Sequence, residues 1–308
     1  MKKFFLFLVI VCLVFISVAL TIELYQAKVV NRYTYKRMYM EKKPDEIKTL
    51  LLGNSLIENS INPQNLGDSV FDLAISGRWI YYDVKLLERY FPKMTNLNQV
   101  IFGMGYAIPF CKSFHFPEED KEWADKKKYC NEKFMNIRYD RLPYYYWFGF
   151  LHGYINMTTL QHDYIFFQGK NLTFDNNGYN RLVGQQGVDW KNIQNIDPNV
   201  ISNPHACEQI MEFTDYLKEM AKLCQEHNVR FIVLTPPCHN SYNDNVRQEG
   251  LDILYEMIEK VRLEYPIEYI DYLQDEEFRT DSIYYNCSHL NSIGADLFAL
   301  RVKEDFGL

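Results

Sequence analysis

The stretch that decides the fold is Lys-Thr-Leu-Leu-Leu-Gly-Asn-Ser at residues 48–55, in which three leucines run straight into Gly53, Asn54 and Ser55. An apolar run that stops at small polar residues is typical of a buried parallel strand ending in a tight turn. Gly53 permits backbone conformations that a residue with a Cβ resists, so a side chain can be held at the carboxyl end of the strand. Ligands of open α/β sheets bind at that edge. Ser55 is therefore a candidate nucleophile, although Gly-Asn-Ser is also an ordinary turn sequence.

Strands and helices alternate along the rest of the chain, apart from one long interruption. Apolar runs predict strands at 47–52, 70–75, 100–105, 229–235 and 267–272. Apolar stripes at helical spacing predict helices at about 80–91, between a cap at Asn203 and Asn228, at about 245–264, and at 292–306 with Asn291 or Ser292 as the cap. Because strand–helix–strand repeats favour right-handed crossovers, we expect an α/β fold with a three-layer, doubly wound parallel sheet.

The interruption covers residues 107–203 and is interpreted as a large aromatic-rich insertion. It contains a charge run at 120–128, the sequence Tyr-Tyr-Tyr-Trp-Phe-Gly-Phe at 144–150, and a stretch rich in Asn, Gly and Gln at 172–190. Loops of this length inside a compact domain are usually functional or disordered. The charge run is more typical of a solvated helix face than of a binding patch. Two interpretations of the aromatic residues stay open: they pack the insertion onto the sheet, or they form a platform that stacks on sugar rings.

An uncharged apolar segment at residues 4–22 follows Met-Lys-Lys at the N-terminus. About 20 apolar residues in a helix span the hydrocarbon layer of a bilayer. We therefore expect contact with the membrane through an uncleaved, single-pass anchor at residues 1–27, a stalk at 28–46 and one domain at 47–308. Ser-Val-Ala at 17–19 is an alternative cleavage site, but it lies inside the apolar run. Basic residues flank the segment on both sides. Because long domains translocate largely regardless of such charges, we expect an extracytoplasmic domain.

The composition bears on partners and cofactors. The formal net charge is −7, which does not favour a nucleic-acid partner. Of the seven cysteines, Cys12 lies in the apolar segment, and no Cys-x-x-Cys spacing occurs. We expect no zinc site and, because no nucleotide-binding motif is present, no cofactor. Cys238 and Cys287 flank the predicted ligand edge, so a disulfide between them is an open alternative to two free thiols.

The second informative stretch is Asn-Cys-Ser-His-Leu-Asn-Ser-Ile-Gly-Ala at residues 286–295. It places His289 just before the cap of the last helix, at the sheet edge that also carries Ser55. The small residues Gly294 and Ala295 let the start of this helix pack closely and so fix the loop of His289. A Gly-x-Ser strand end near the start and His-Leu-Asn-x-x-Gly-Ala near the end resemble the SGNH/GDSL hydrolase superfamily over about residues 47–308.

This resemblance implies an SGNH/flavodoxin-like sheet and a serine–histidine site. Ser55 would be the nucleophile, and His289 the base that takes its proton and returns it to the leaving group. The oxyanion donors would be the backbone N–H groups of Ser55 and Gly77. His239 and Tyr106 follow strands that end at the same predicted edge, so both are candidate substrate-binding residues. For His239, a role as a second base and a purely structural role also stay open.

Two departures from the family's pattern affect the predicted catalytic site. Asn286 stands where the family usually has Asp, so it could orient the imidazole but could not stabilise imidazolium by charge. Asp281 is an alternative orienting residue. The family's Gly-x-Asn-Asp block is replaced by Gly-Met-Gly-Tyr at 103–106, so a third oxyanion donor must come from elsewhere or be missing.

The membrane-anchored branch of the superfamily implies an esterase or O-acyltransferase. Its substrate would be an acyl group, expected to be acetyl, on a cell-envelope glycan or another acylated small molecule, and it could work beside a partner membrane acyltransferase. Two alternatives remain. One is a non-catalytic glycan-binding or assembly protein that keeps the fold. The other is a structural membrane protein in which the motif match is accidental.

Overall fold

The computed structural model describes residues 1–28, 31–110, 130–135, 137, 175–184 and 207–308. The chain divides into two compact units. The first comprises Met1–Arg37 with Glu119–Leu172, and the second comprises Met38–Glu118 with Thr173–Leu308. The second unit contains the whole β-sheet and both sequence stretches that carry the predicted site.

The first unit begins with helix α1 (Lys2–Lys28) and the start of α2 (Arg32–Lys42). Its segment Lys2–Thr21 has a mean hydropathy of 3.1 and is not buried. Among the described helices it is the one that is long and apolar enough to cross a membrane, a test that a signal sequence also passes. The last turn of α2 belongs to the second unit, where Met40 is fully buried and the Tyr39 ring stacks on Phe71 at 4.1 Å. The final part of the predicted stalk is thus packed against the sheet.

The second unit is built on five parallel strands in the order β2-β1-β3-β4-β5. These strands are β1 (Thr49–Gly53), β2 (Val70–Asp72), β3 (Gln99–Gly103), β4 (Arg230–Thr235) and β5 (Glu268–Asp271). Every residue of β1 is buried, as expected for an interior parallel strand. The register aligns Gly53 with Gly103, so the carboxyl ends of β1 and β3 lie side by side. The predicted parallel α/β sheet is confirmed.

Helices flank this sheet. They are α3 (Ser55–Glu58), α4 (Pro63–Leu66), α5 (Ile80–Tyr90), α6 (Cys207–Glu226), α7 (Asn240–Asn243), α8 (Gln248–Arg262) and α9 (Ser292–Phe306). The sheet residues Leu51 and Ile101 share a core with Phe298 of α9. Phe102, whose side chain points to the other side of β3, contacts the ring of Phe213 in α6. Helices therefore cover both faces of the sheet.

Most element boundaries agree with the sequence-based prediction within a few residues. Helix α9 begins and ends where its pattern predicts, with Asn291 as the cap. Helix α8 begins three residues later than predicted, because the short helix α7 and a turn occupy the preceding residues. The predicted cap Asn203 lies outside the described residues. The hairpin of β6 (Tyr284–Asn286) and β7 (His289–Leu290) was not predicted.

The predicted insertion at 107–203 lies mostly outside the described residues, so it stays a prediction, and with it the aromatic segment at 144–150. The described parts are the 3₁₀ turn Ile108–Phe110, the π-helical turn Cys130–Phe134 and residues 175–184. Residues 175–184 pack beside the predicted site: the Asn177 carbonyl accepts from the Asp72 N–H, and the Asn180 amide donates to Asn59 Oδ1 at 3.0 Å.

Candidate active site

Ser55 lies at the turn between β1 and α3, and glycine makes this turn possible. Gly53 has φ of +125°, a conformation that side chains with a Cβ rarely adopt. A Cβ at this position would also sit 2.7 Å from the Gly103 carbonyl oxygen. Asn54 then caps α3, because its Oδ1 accepts from the Leu56 N–H at 2.9 Å. The chain thus reverses directly from a buried strand into a helix, with Ser55 as the first helical residue.

Gly103, the last residue of β3, and Gly105, two residues later, make room for this helix. A Cβ on Gly103 would overlap with the Ile57 side chain, and one on Gly105 would overlap with Leu56 Cδ1. Both side chains belong to α3. The Gly-Met-Gly-Tyr block, which departs from the pattern of the resembled family, therefore has a packing role here: it allows α3 to lie against the end of β3.

His289 is presented by the β6–β7 hairpin, and its Nε2 lies 2.9 Å from Ser55 Oγ. The hairpin is fixed at its far end by α9, where Asn291 Oδ1 accepts from the N–H groups of Ile293 and Gly294. A Cβ on Gly294 would overlap with the Ile283 carbonyl oxygen, so glycine lets α9 start close to the hairpin. The structure therefore brings together the two residues that the sequence placed at one sheet edge, 234 positions apart.

Asn286 contacts the other side of the imidazole ring. Its Oδ1 lies 2.9 Å from His289 Nδ1, and it also accepts from the backbone N–H groups of Ser288 at 3.1 Å and His289 at 3.0 Å. Because a backbone N–H can only donate, the atom facing the ring must be the amide oxygen. Because an amide oxygen can only accept, it favours the tautomer of His289 that carries the proton on Nδ1. Nε2 is then left with its lone pair directed at the Ser55 hydroxyl, which is the tautomer that a general base needs.

The electrostatic environment keeps His289 neutral. Burial lowers the pKa of His289 to about 4, and the nearby Glu58 carboxylate opposes this effect by raising it. At neutral pH the imidazole is therefore deprotonated and able to accept the serine proton. Ser288 Oγ lies 3.0 Å from Nδ1 and adds a second polar contact on that side of the ring.

Two backbone N–H groups close to Ser55 can serve as oxyanion donors. The Asn54 side chain satisfies the Leu56 N–H, and the Asn54 carbonyl accepts from Ile57 and Glu58. The N–H groups of Ser55 and Gly77 have no acceptor among the residues that the structure describes. Gly77 has φ of +73°, and both residues are partly exposed. These are the two donors that the sequence analysis proposed.

His239 is held by contacts within the protein. Its Nε2 lies 3.0 Å from Asp281 Oδ1, and its Nδ1 accepts from the Ser241 N–H at 3.1 Å and lies 2.8 Å from Ser241 Oγ. The side chain is 5% exposed. These contacts cap helix α7 and link it to the turn Asp281–Ile283. Asp281 thus lies against His239, whereas the residue that orients His289 is Asn286.

Tyr106, the other candidate substrate-binding residue, is fully buried. Its hydroxyl lies 3.4 Å from the Arg247 carbonyl oxygen, and a Cβ on Gly250 would overlap with its ring, so Tyr106 packs against the start of α8. These contacts give no support to a role in substrate binding. For Cys238 and Cys287 the structure has two buried free thiols, so the disulfide alternative is not formed.

Two residues next to the site were not selected as functional from the sequence. Glu58 begins the polar run at 58–60, and its position three residues after the candidate nucleophile is the only sequence signal for it. Ser288 directly precedes His289 in the sequence. Only the folded hairpin shows that its hydroxyl contacts the imidazole ring. No group of three or more His, Cys, Asp or Glu suited to a metal occurs among the described residues.

Comparison of the whole chain with protein-family models gave no match, and comparison with curated protein sequences gave no significant match.

Proposed function

We propose that this protein is a membrane-anchored SGNH-type serine esterase or O-acyltransferase. The observation that carries the proposal is the chain of contacts from Ser55 Oγ through the His289 ring to Asn286 Oδ1, with 2.9 Å at each of the two contacts to the ring. A serine hydroxyl is a poor nucleophile at neutral pH and needs an adjacent base, and that base needs a fixed tautomer. Residues from the two sequence stretches that suggested the family meet both requirements.

The reaction proceeds in two steps. In the first, the Ser55 hydroxyl attacks the ester carbonyl while His289 Nε2 takes its proton, and the oxyanion lies between the N–H groups of Ser55 and Gly77. The imidazolium then gives the proton to the departing alcohol, which leaves an acyl ester on Ser55. In the second step, water or a sugar hydroxyl attacks this ester with His289 again as the base. Water makes the protein an esterase, and a sugar hydroxyl makes it a transferase.

The substrate proposed is an acyl group, expected to be acetyl, on a glycan of the cell envelope. The apolar segment of α1 supports a membrane location, and the proposal places the domain outside the cytoplasm. At that surface an acylated polymer is within reach of a tethered site, and a partner membrane acyltransferase could provide the acyl donor.

The test is labelling of the full-length chain in detergent with a serine-reactive fluorophosphonate, followed by intact-mass analysis. Wild type should gain one label, and Ser55→Ala and His289→Ala should gain none. Ser282→Ala, which changes an exposed serine outside the site, should label like wild type. A folded wild type that does not label, or a label that persists in Ser55→Ala, would contradict the proposal.

A second function is favoured by one observation. Asn286 carries no charge, and the pKa of His289 is about 4, so the base is weaker than one paired with a carboxylate. The protein would then be a non-catalytic SGNH-fold glycan-binding or assembly protein. Asn286→Asp separates the two functions. An unreactive wild type whose reactivity appears in this variant indicates a site that has lost its activity, whereas a reactive wild type indicates an enzyme.

A further inference from the structure

Glu58 is a buried carboxylate close to the candidate nucleophile. It is the last residue of α3, the short helix that Ser55 begins, and it has no exposed surface. Acidic side chains are almost never fully buried unless they are paired or hydrogen-bonded, because burial without partners is costly. A buried acid three residues after Ser55 therefore requires a reason.

Its hydrogen bond connects the serine turn to the glycine loop. Glu58 Oε2 accepts from the Ser76 N–H at 2.7 Å, and Ser76 directly precedes Gly77. The same loop is held by bonds from the Ile75 N–H to the Gly53 carbonyl and from the Arg78 N–H to the Ile75 carbonyl. The side chain of Glu58 is thus a polar link between the helix that carries Ser55 and the peptide that presents the Gly77 N–H.

Its charge also acts on His289. Glu58 ends the four-residue helix whose first residue, Ser55, lies 2.9 Å from His289 Nε2 through its Oγ. From this position its carboxylate raises the pKa of His289 against the effect of burial. Proton transfer from Ser55 would convert His289 into an imidazolium, which a nearby negative charge stabilises. Asn286 and Ser288, the hairpin residues that contact the imidazole, supply oxygen atoms but no charge.

On the basis of the proposed function, we infer that Glu58 is a positioning residue that holds the Ser76–Gly77 peptide and supplies, from α3, the negative charge that Asn286 lacks. In a serine–histidine–aspartate site, one aspartate both orients the imidazole and supplies a negative charge. Here two residues on two different elements divide these roles. Asn286 orients the ring through its amide oxygen, and Glu58 provides the negative charge that stabilises the imidazolium.

The charge role is tested by Glu58→Gln, which keeps the size of the side chain and an oxygen that can accept from Ser76. His289 would be observed by NMR in chains with isotope-labelled histidine, and assigned by its loss in His289→Gln. Because the pKa of wild-type His289 is low, the comparison is made between Asn286→Asp and Asn286→Asp/Glu58→Gln. We expect the second variant to have the lower His289 pKa by about one unit, equivalent to about a tenfold change in proton affinity. An unchanged pKa in folded protein would overturn the charge role.

The loop role is tested by Glu58→Asp, which keeps the charge but shortens the reach to Ser76. We expect the fluorophosphonate labelling rate to fall by about tenfold, while the His289 pKa of Asn286→Asp/Glu58→Asp stays near that of Asn286→Asp. Glu249→Gln, which changes an exposed acid at the start of α8, is the matched control and should alter neither quantity. Labelling of Glu58→Asp at the wild-type rate would overturn the loop role. If wild type fails to label, the proposed function fails, yet the His289 titration still decides whether Glu58 acts on the ring.

Discussion

His289 lies in the β6–β7 hairpin and His239 lies at the start of helix α7, and the ring nitrogens of the two residues have different kinds of partner. His289 faces the amide oxygen of Asn286 through Nδ1 and the Ser55 hydroxyl through Nε2. His239 uses Nδ1 to accept from the Ser241 N–H and directs Nε2 at the Asp281 carboxylate. Since the backbone donor and the carboxylate acceptor fix its proton on Nε2, the only lone pair of His239 is used to cap a helix.

This difference identifies the histidine that can act as a base. His239 has the carboxylate partner expected in a serine–histidine–aspartate site, but its lone pair faces a helix N-terminus. His289 lacks the carboxylate partner, yet its lone pair faces a serine hydroxyl. The position of the acceptor, rather than its charge, thus determines which ring can take a proton.

The largest effect is expected from Asn286→Leu. This change removes the acceptor for His289 Nδ1 and for two backbone N–H groups, so the ring loses its orientation and its tautomer. We expect the labelling rate of Ser55 to fall by about 10³–10⁴-fold, as for other triads with a wrong tautomer. The measurement is the labelling time course, with Asn286→Asp as the control that keeps an oxygen acceptor and should label at least as fast as wild type.

The position of Ser55 depends on the close packing of the turn before it and not on one hydrogen-bond acceptor. Gly53→Ala tests this dependence. The new Cβ combines an unfavourable φ of +125° with a contact of 2.7 Å to the Gly103 carbonyl oxygen. We expect a loss of about 2–4 kcal/mol in the free energy of unfolding, measured by chemical denaturation. Gly184→Ala is the matched control. It also has positive φ but meets nothing within 4 Å, and should cost about 1–2 kcal/mol. Equal losses in the two variants would contradict the packing argument.

Burial of His289 predicts the pH dependence of both stability and reactivity. Its pKa of about 4 in the folded protein is below the ordinary value of 6.5, so the unfolded chain binds more protons between these values. Stability from this group is fully present above about pH 6.5 and is lost as pH falls towards 4. Denaturation across this range should show the loss in wild type and a smaller loss in His289→Gln. Labelling should stay level down to about pH 5; a decline centred near pH 6.5 would show an ordinary histidine.

The smallest effect is expected from His239→Asn. Asn can place an oxygen near the position of Nδ1 and keep the cap of α7, while the contact with Asp281 is lost. We expect labelling close to wild type and a stability loss below about 1 kcal/mol, against about 1–2 kcal/mol for His239→Ala, which removes the cap. A loss of labelling in His239→Asn, with the fold retained, would show that His239 takes part in the reaction.

Local signals made part of this structure predictable from the sequence. The apolar run of β1 and its glycine placed Ser55 at a sheet edge, and the Asn291 cap placed the start of α9 and hence His289. The β6–β7 hairpin has strands of three and two residues, too short for a periodic pattern. The bond between Glu58 and Ser76 joins residues 18 positions apart and follows from the sheet order. The groups that approach Asn286 Oδ1 could likewise not be predicted, because only the folded hairpin brings them together.

The most direct test of the central claim is the tautomer of the two histidines, measured by ¹⁵N NMR of the full-length chain with labelled histidine at neutral pH. Spectra of His289→Gln and His239→Asn would assign the two rings. We predict that His289 carries its proton on Nδ1 and that His239 carries its proton on Nε2. A His289 ring protonated on Nε2 would mean that its lone pair faces Asn286 instead of Ser55, and it would contradict the account of this site.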